Sequence, residues 1–308
     1  MIGESVSVVL VAVLCLVTVQ WLWKLLNGIW LTPNKLERCL RNQGLAGKSY
    51  RFLIGDMKEN SMLRSEAMKK PIPFSNDYFY RIQPLLHQLV TKAGSNCFTW
   101  MGPVPTIFIT QPELIRDAFT RMNEFRKPKM NPLTELLAPG LVSYEGEKWA
   151  NHRRLVNPAF HVQKLKVTMI LYEVLRLYPS IVATSRRIYD CETKLGDLII
   201  PPGVVVSLSI LHAHLDPNVW GDDAKEFNPE RFSEGIAKAT KGISSYFPFG
   251  WGPRICIGQN FALIEAKLVL SMILQRFAFE LSPSYTHAPT TLLALQPQHG
   301  AYLILHRL

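Results

Sequence analysis

The hydrophobic pattern of this chain opens on one long run. Val6 to Trp23 contains no charge, and only Ser7, Thr18 and Gln20 interrupt it as polar residues. Such a stretch is long enough to cross the hydrocarbon core of a bilayer. Trp21, Trp23 and Trp30 stand where an interfacial aromatic belt would lie. A cleaved signal peptide would want a basic start and a small-residue cleavage site. The chain begins Met1-Ile2-Gly3-Glu4 and shows no such site after the run. Six basic residues (Lys24, Lys35, Arg38, Arg41, Lys48 and Arg51) follow against the single acid Glu37. That excess places the bulk of the chain on the cytosolic side of a single-pass anchor. Pro33 is expected to break any helix leaving the membrane.

Beyond the anchor the period changes several times. Residues 34–70 read as a short basic helix, a glycine-containing turn and a second helix. Asn96 to Thr110 holds two β-rich runs around Gly102-Pro103, which predicts a hairpin. Gln111-Pro112-Glu113 starts a helix with proline in its first turn. Gly146 to Arg154 reads as a helix, and Met169 to Pro179 as an apolar helix that ends at its proline. Leu195–Ile200 and Val204–Ser209, around Pro201-Pro202-Gly203, predict another hairpin. His212 and His214 would share one face if the strand continued, although no third metal ligand lies near them. Phe261 to Phe277 is apolar nearly all round, which predicts a helix at the centre of a core. Leu292 to Leu305 is β-like. The sum is a mainly α fold with small β-sheets (α+β), without internal repeats or low-complexity segments.

Composition narrows the function classes. The chain has 308 residues, 48% of them hydrophobic, so it can bury one large core and is no disordered chain. The net charge of +10 suits a basic surface, an anionic membrane or an acidic protein partner. No nucleic-acid-binding motif accompanies it, so nucleic acid is excluded as a partner. Cys15, Cys39, Cys97, Cys191 and Cys256 are scattered and odd in number, without CxxC spacing. They read as thiols of a reducing compartment.

One of these cysteines stands in unusual company. Phe247-Pro248-Phe249-Gly250-Trp251-Gly252-Pro253-Arg254-Ile255-Cys256-Ile257-Gly258 runs straight into the apolar helix that starts near Gln259. Glycines allow tight turns and close approach to a ligand. The positive end of a helix dipole favours an anion at that position. A thiolate offered there is a soft metal ligand and suits haem iron, where axial thiolate donates electron density. Trp149 and Arg153, at i and i+4, share a helical face. They are either an ordinary cation–π pair or an indole and a guanidinium aimed at an anion such as a haem propionate. Glu173 and Arg176, at i and i+3, are commonly a surface pair. On so apolar a helix they are expected to be buried and to need further hydrogen bonds. Arg231 is a candidate third member.

These motifs together resemble the cytochrome P450 family, in particular the plant subfamily that contains secologanin synthase. Phe249-x-x-Gly252-x-Arg254-x-Cys256-x-Gly258 matches that family's haem loop. Trp149-x-x-x-Arg153, Glu173-x-x-Arg176 and Pro229-Glu230-Arg231-Phe232 match its other landmarks, in order. The resemblance implies a haem-thiolate monooxygenase of the endoplasmic reticulum membrane. It would insert one oxygen atom from O2 into an apolar small molecule, a plant specialised metabolite or hormone, with electrons from an NADPH-cytochrome reductase. It implies haem b as cofactor and Cys256 as axial iron ligand. Phe249 would shield the sulfur. Trp149, Arg153 and Arg254 would hold the propionates, with Arg186 or Arg187. Glu173, Arg176 and Arg231 would form a structural triad.

The chain departs from the family at one place. Arg153 and Glu173 lie 20 positions apart, whereas the family carries several helices there, on the order of two hundred residues. Among those helices is the distal one with an Ala/Gly-Gly-x-Asp/Glu-Thr segment that relays protons. The organisation implied is an anchor over 1–26 and a haem-thiolate domain over 27–308 that lacks its distal central segment, with the join near 164–168. A second reading follows: a catalytically inactive shortened variant or gene-model fragment that at most binds haem or reductase.

Overall fold

The computed structural model of the protein describes residues 2–94, 97–129, 144–156, 168–242 and 244–308. Helix Ile2–Leu26 is the apolar run, and it passes through a π-helical turn, Asn27–Leu31, into helix Thr32–Asn42. Pro33 therefore does not end the helix, contrary to expectation. Proline lacks the N–H that an α-helix would give to the carbonyl four residues back. Here that carbonyl, of Ile29, accepts a hydrogen bond from the Tyr50 hydroxyl at 2.6 Å. Among the described residues this is the one helix long and apolar enough to cross a membrane, and the rest of the fold covers none of its apolar part.

The globular part is organised on a five-stranded sheet. Its strands are β1 (Ala46–Gly47), β2 (Cys97–Met101), β3 (Val104–Ile109), β4 (Thr184–Arg187) and, later in the chain, Val205–Leu208. The order is β1-β2-β3, then Val205–Leu208, then β4. β2 and β3 form the expected antiparallel hairpin around Gly102-Pro103. Both are buried on both faces, which is why they read as near-continuous apolar runs. Phe98, Trp100, Ile107, Ile109, Val206 and Leu208 form the heart of the main core.

The second expected hairpin is rearranged. β5 (Thr193–Leu195) and β6 (Leu198–Ile200) pair with each other around Gly196-Asp197. The strand Val205–Leu208, here β7, pairs in parallel with β3 and antiparallel with β4. Two prolines remove two ladder donors. The buried run of β7 suits a central strand with two neighbours better than one arm of a ribbon. The chain then turns into helix Ile210–His214, so His212 and His214 are not on a strand. The helices expected within 34–70, from Pro112, over Gly146 to Arg154 and over Met169 to Pro179 all form, as Thr32–Asn42, Met57–Lys69, Pro112–Thr120, Gly146–Val156 and Thr168–Leu177.

Helix Gln259–Leu274 differs most from expectation. It buries only Leu263, while Phe261, Leu268, Val269 and Met272 are half or more exposed. Its main described neighbours are helix Thr168–Leu177 and strand β8 (Phe277–Leu281). β9 (Pro289–Thr291) pairs with β10 (Leu295–Pro297), and β11 (Leu303–Arg307) pairs with β8. The apolar circumference thus records a core position, but the described residues cover one side of it.

Trp100 joins the main core to the chain that follows the anchor. Its ring is fully buried, its indole N–H donates to the Lys48 carbonyl at 3.0 Å, and Tyr50 packs on it at 4.9 Å. Trp100→Ala is expected to cost about 3–5 kcal/mol, read as a lower denaturant midpoint.

Candidate haem-thiolate site

The site begins with a network that positions the cysteine loop. Glu173 and Arg176 are both completely buried and pair bidentately, at 2.7 and 2.8 Å. Arg176 also donates to the carbonyls of His214, Ala224 and Glu226. All five guanidinium N–H groups are thereby used. Glu173 accepts the Asn228 amide at 3.0 Å. The expected third member, Arg231, lies 3.6 Å from Glu173 as an ion pair. Its hydrogen bonds go to Asp223, at 2.7 and 3.0 Å, and to the carbonyls of Trp220 and Asp223. Those bonds hold the Asp223 carboxyl below its ordinary range.

His214 connects this network to the loop. Its Nε2 accepts the Phe247 amide at 2.8 Å, so the proton sits on Nδ1, which faces the Arg176 carbonyl at 3.1 Å. Burial, reinforced by the nearby Arg176 charge, pushes its pKa down to about 3. A neutral imidazole with both nitrogens engaged is no metal ligand. Among the described residues no group of three His, Cys, Asp or Glu could hold a metal ion.

From Phe247 the loop folds on itself. The Gly250 amide donates to the Phe247 carbonyl at 3.0 Å, and the Cys256 amide to the Phe249 carbonyl at 2.8 Å. Gly250 and Gly252 have φ of +76° and +71°, which favours glycine. A Cβ on Gly252 would stand 2.9 Å from the Phe119 carbonyl oxygen. Cys256 is exposed and faces a cavity of about 1070 Å³ that Phe249, Phe119, Ile181 and Ile210 also line. Helix Gln259–Leu274 starts three residues later.

The rim of the cavity is cationic. Lys127, Lys129, Lys148, Arg186 and Arg254 line it together with the carboxylate of Glu145. Arg254 pairs with Glu145 at 2.6 Å and lies 4.5 Å over the Trp149 ring. Glu145 Oε1 is buried without a partner. Burial, with repulsion from Arg254, pushes Lys127 down to about 8 and Arg186 down to about 10. Five cations against one carboxylate leave an excess that suits a ligand with two carboxylates. An apolar wall, a cysteine at its edge and this rim fit haem b.

The motif residues are brought together in different roles. Arg254 and Phe249 line the cavity. Trp149 is buried, and Arg254 takes the stacking place on its ring that the i, i+4 spacing offers to Arg153. Arg153 donates to the Ile255 carbonyl at 2.6 Å, bracing the residue before Cys256. Lys127, Glu145, Asp223 and His214 were not legible as site residues. The first three lie in turn-rich segments without periodicity, and His214 was legible only as half of a metal pair.

Two outcomes follow. Glu173→Ala strands a buried guanidinium and is expected to cost about 3–5 kcal/mol, read by chemical denaturation. His214 has its folded pKa far below the ordinary 6.5. The unfolded chain therefore binds one more proton below that value. Stability should fall by about 1.4 kcal/mol per pH unit as pH drops from about 6 toward 3, and His214→Gln should remove that slope.

Comparison with known proteins identifies the family. The cytochrome P450 family profile matches residues 78–170 and 165–304, in two pieces that meet between 165 and 170. Echinocystic acid 23-monooxygenase of Saponaria officinalis is 36% identical over 520 aligned positions, covering 99% of this chain and all of that protein. Cytochrome P450 72A397 of Kalopanax septemlobus is 35% identical over 498 positions, covering 94% and 96%. An alignment of 520 positions against 308 residues leaves more than 200 positions of the Saponaria protein without a counterpart here. Among solved structures, retinoic acid bound cyanobacterial CYP120A1 superposes with a TM-score of 0.60 at 16% identity, over 76% of this chain and 96% of that one. The chain belongs to the cytochrome P450 family of haem-b-dependent monooxygenases.

Proposed function

We propose that Cys256 is the axial ligand of haem b and that the protein derives from a membrane-anchored monooxygenase of apolar plant metabolites. The observation that carries this is the placement of Cys256 at the edge of an apolar cavity whose rim holds Arg254, Arg186 and Lys127. Bound haem would supply oxygen activation. The chain's residues bind and orient it. Arg254 and Arg186 would take its carboxylates, with Trp149 supporting Arg254 from behind and Phe249 covering the sulfur. Arg153 fixes the backbone before Cys256. Glu173, Arg176 and Arg231 set the position of the loop through His214. Helix Ile2–Leu26 would hold the protein in the endoplasmic reticulum membrane, and the basic surface would receive an NADPH-dependent reductase. The named relative is an echinocystic acid 23-monooxygenase, which makes echinocystic acid the first substrate to test.

A second reading has its own observation. The family matches come in two pieces, 78–170 and 165–304, and the alignment with the Saponaria protein runs over 520 positions against the 308 residues of this chain. The break between the two matches supports a join near 164–168, of which 164–167 lie outside the described residues. Helix Gln259–Leu274 leaves its apolar side exposed. A chain without the proton-relaying distal segment would keep haem binding and lose oxygen insertion. The reduced protein with CO is expected to show a thiolate-type Soret band that Cys256→Ser abolishes. Equal spectra for the two would remove Cys256 as ligand. A thiolate band without product from any apolar substrate would select the second reading.

A further inference from the structure

Three consecutive apolar residues, Phe52, Leu53 and Ile54, project from the surface beside the end of the anchor helix, 55%, 48% and 55% exposed. They sit in a tight turn. The Ile54 amide donates to the Phe52 carbonyl at 2.7 Å, and Leu53 has φ of +61°. A three-residue turn with a positive central φ is rare and strained, and a non-glycine residue there is unusual. About half of Leu53 stays exposed, so packing accounts for its side chain only in part and backbone geometry disfavours it.

The turn is fastened to the anchor. The Tyr50 hydroxyl accepts the Leu53 amide at 3.0 Å and donates to the Ile29 carbonyl at 2.6 Å. That is the carbonyl which Pro33 cannot reach with an N–H. The Trp30 ring stands 5.9 Å from Phe52 and 6.3 Å from Tyr50. Trp30 and Leu31 are themselves exposed. Trp30 lies four residues past Leu26, about 6 Å along the helix, which is about the depth of one headgroup layer.

The charges of this region divide in two. Arg41 pairs with Glu37, while Lys48 and Arg51 pair with Glu59. Lys35 and Arg38 are exposed and pair with no described carboxylate. They line a shallow pocket of about 420 Å³ with Trp30 and Leu31. Unneutralised cations beside exposed aromatic and aliphatic side chains, at the end of an apolar span, complement an anionic lipid surface.

We propose that the Phe52–Ile54 turn, with Trp30 and Leu31, is a second membrane contact that dips into the interface of an anionic leaflet, with Lys35 and Arg38 on lipid phosphates. This rests on the reading of helix Ile2–Leu26 as a membrane span. The Tyr50 hydroxyl then fixes the tilt of the globular part against the bilayer.

The full chain, reconstituted in phosphatidylcholine vesicles containing phosphatidylserine, tests it. An environment-sensitive fluorescent amino acid is encoded in turn at position 17, 54 or 218, and quenching by lipids spin-labelled near the headgroup or deep in the chain is compared. The expected result is deep quenching at 17, shallow quenching at 54 and none at 218. Quenching at 17 with none at 54 overturns the proposal and leaves the anchor standing. No quenching at 17 removes the anchor reading and the proposal with it. Shielding at 54 that persists in detergent and grows with protein concentration means a second copy covers the turn, which also overturns it. Lys35→Glu and Arg38→Glu should each weaken phosphatidylserine-dependent quenching at 54 about fivefold, and an unchanged dependence would refute the headgroup contact.

Discussion

A fully buried guanidinium is tolerable only when every N–H has an acceptor and the charge has a partner. Arg176 meets both conditions, and the way it does so organises the fold. Its five bonds reach Glu173 on its own helix and three carbonyls from the segment 214–226. The Trp220 ring lies 5.1 Å from the charge. Helix 168–177 and the turn-rich segment after β7 are therefore one unit. Arg231 and Asp223 extend it toward Pro229–Phe232.

The cysteine loop is tied to that unit by the His214 imidazole and, just ahead of it, by the Tyr246 hydroxyl, which donates to the Tyr172 carbonyl at 2.9 Å. His214 contributes its carbonyl to Arg176 and its ring to both the Arg176 carbonyl and the Phe247 amide. The register of the loop is thus set from the end opposite Cys256. At the cysteine end, Arg153 holds the Ile255 carbonyl, and the closure from Cys256 to Phe249 completes the turn. A loop braced at both ends can present a cysteine without burying its side chain, which leaves Cys256 open to the cavity.

The membrane end follows a similar logic of a vacated partner. Pro33 withholds a donor, the helix widens through Asn27–Leu31, and the Tyr50 hydroxyl supplies the bond. The same tyrosine packs on Trp100, at the edge of the main core. One side chain thereby couples the helix leaving the anchor to the sheet, and the sheet through β7 and helix 210–214 to the site.

The sequence by itself determined the elements whose cause is local. The apolar run, the Gly102-Pro103 hairpin, the helices beginning at Pro112 and Gly146, and the glycine-rich loop before Gln259 follow from period, turn chemistry and composition. It also determined that Glu173 and Arg176 would be buried, because no polar face exists on their helix. Only the tertiary structure decided partnerships between distant segments. Asp223 rather than Glu173 takes the hydrogen bonds of Arg231, Arg254 rather than Arg153 stacks on Trp149, and β7 chooses β3 over β6. Each is a competition among donors and faces that residue spacing leaves equivalent, settled by which segments the packing brings together. The helix at 259–274 shows the converse: its apolar circumference demands cover on all sides, and whether cover exists depends on segments elsewhere in the chain.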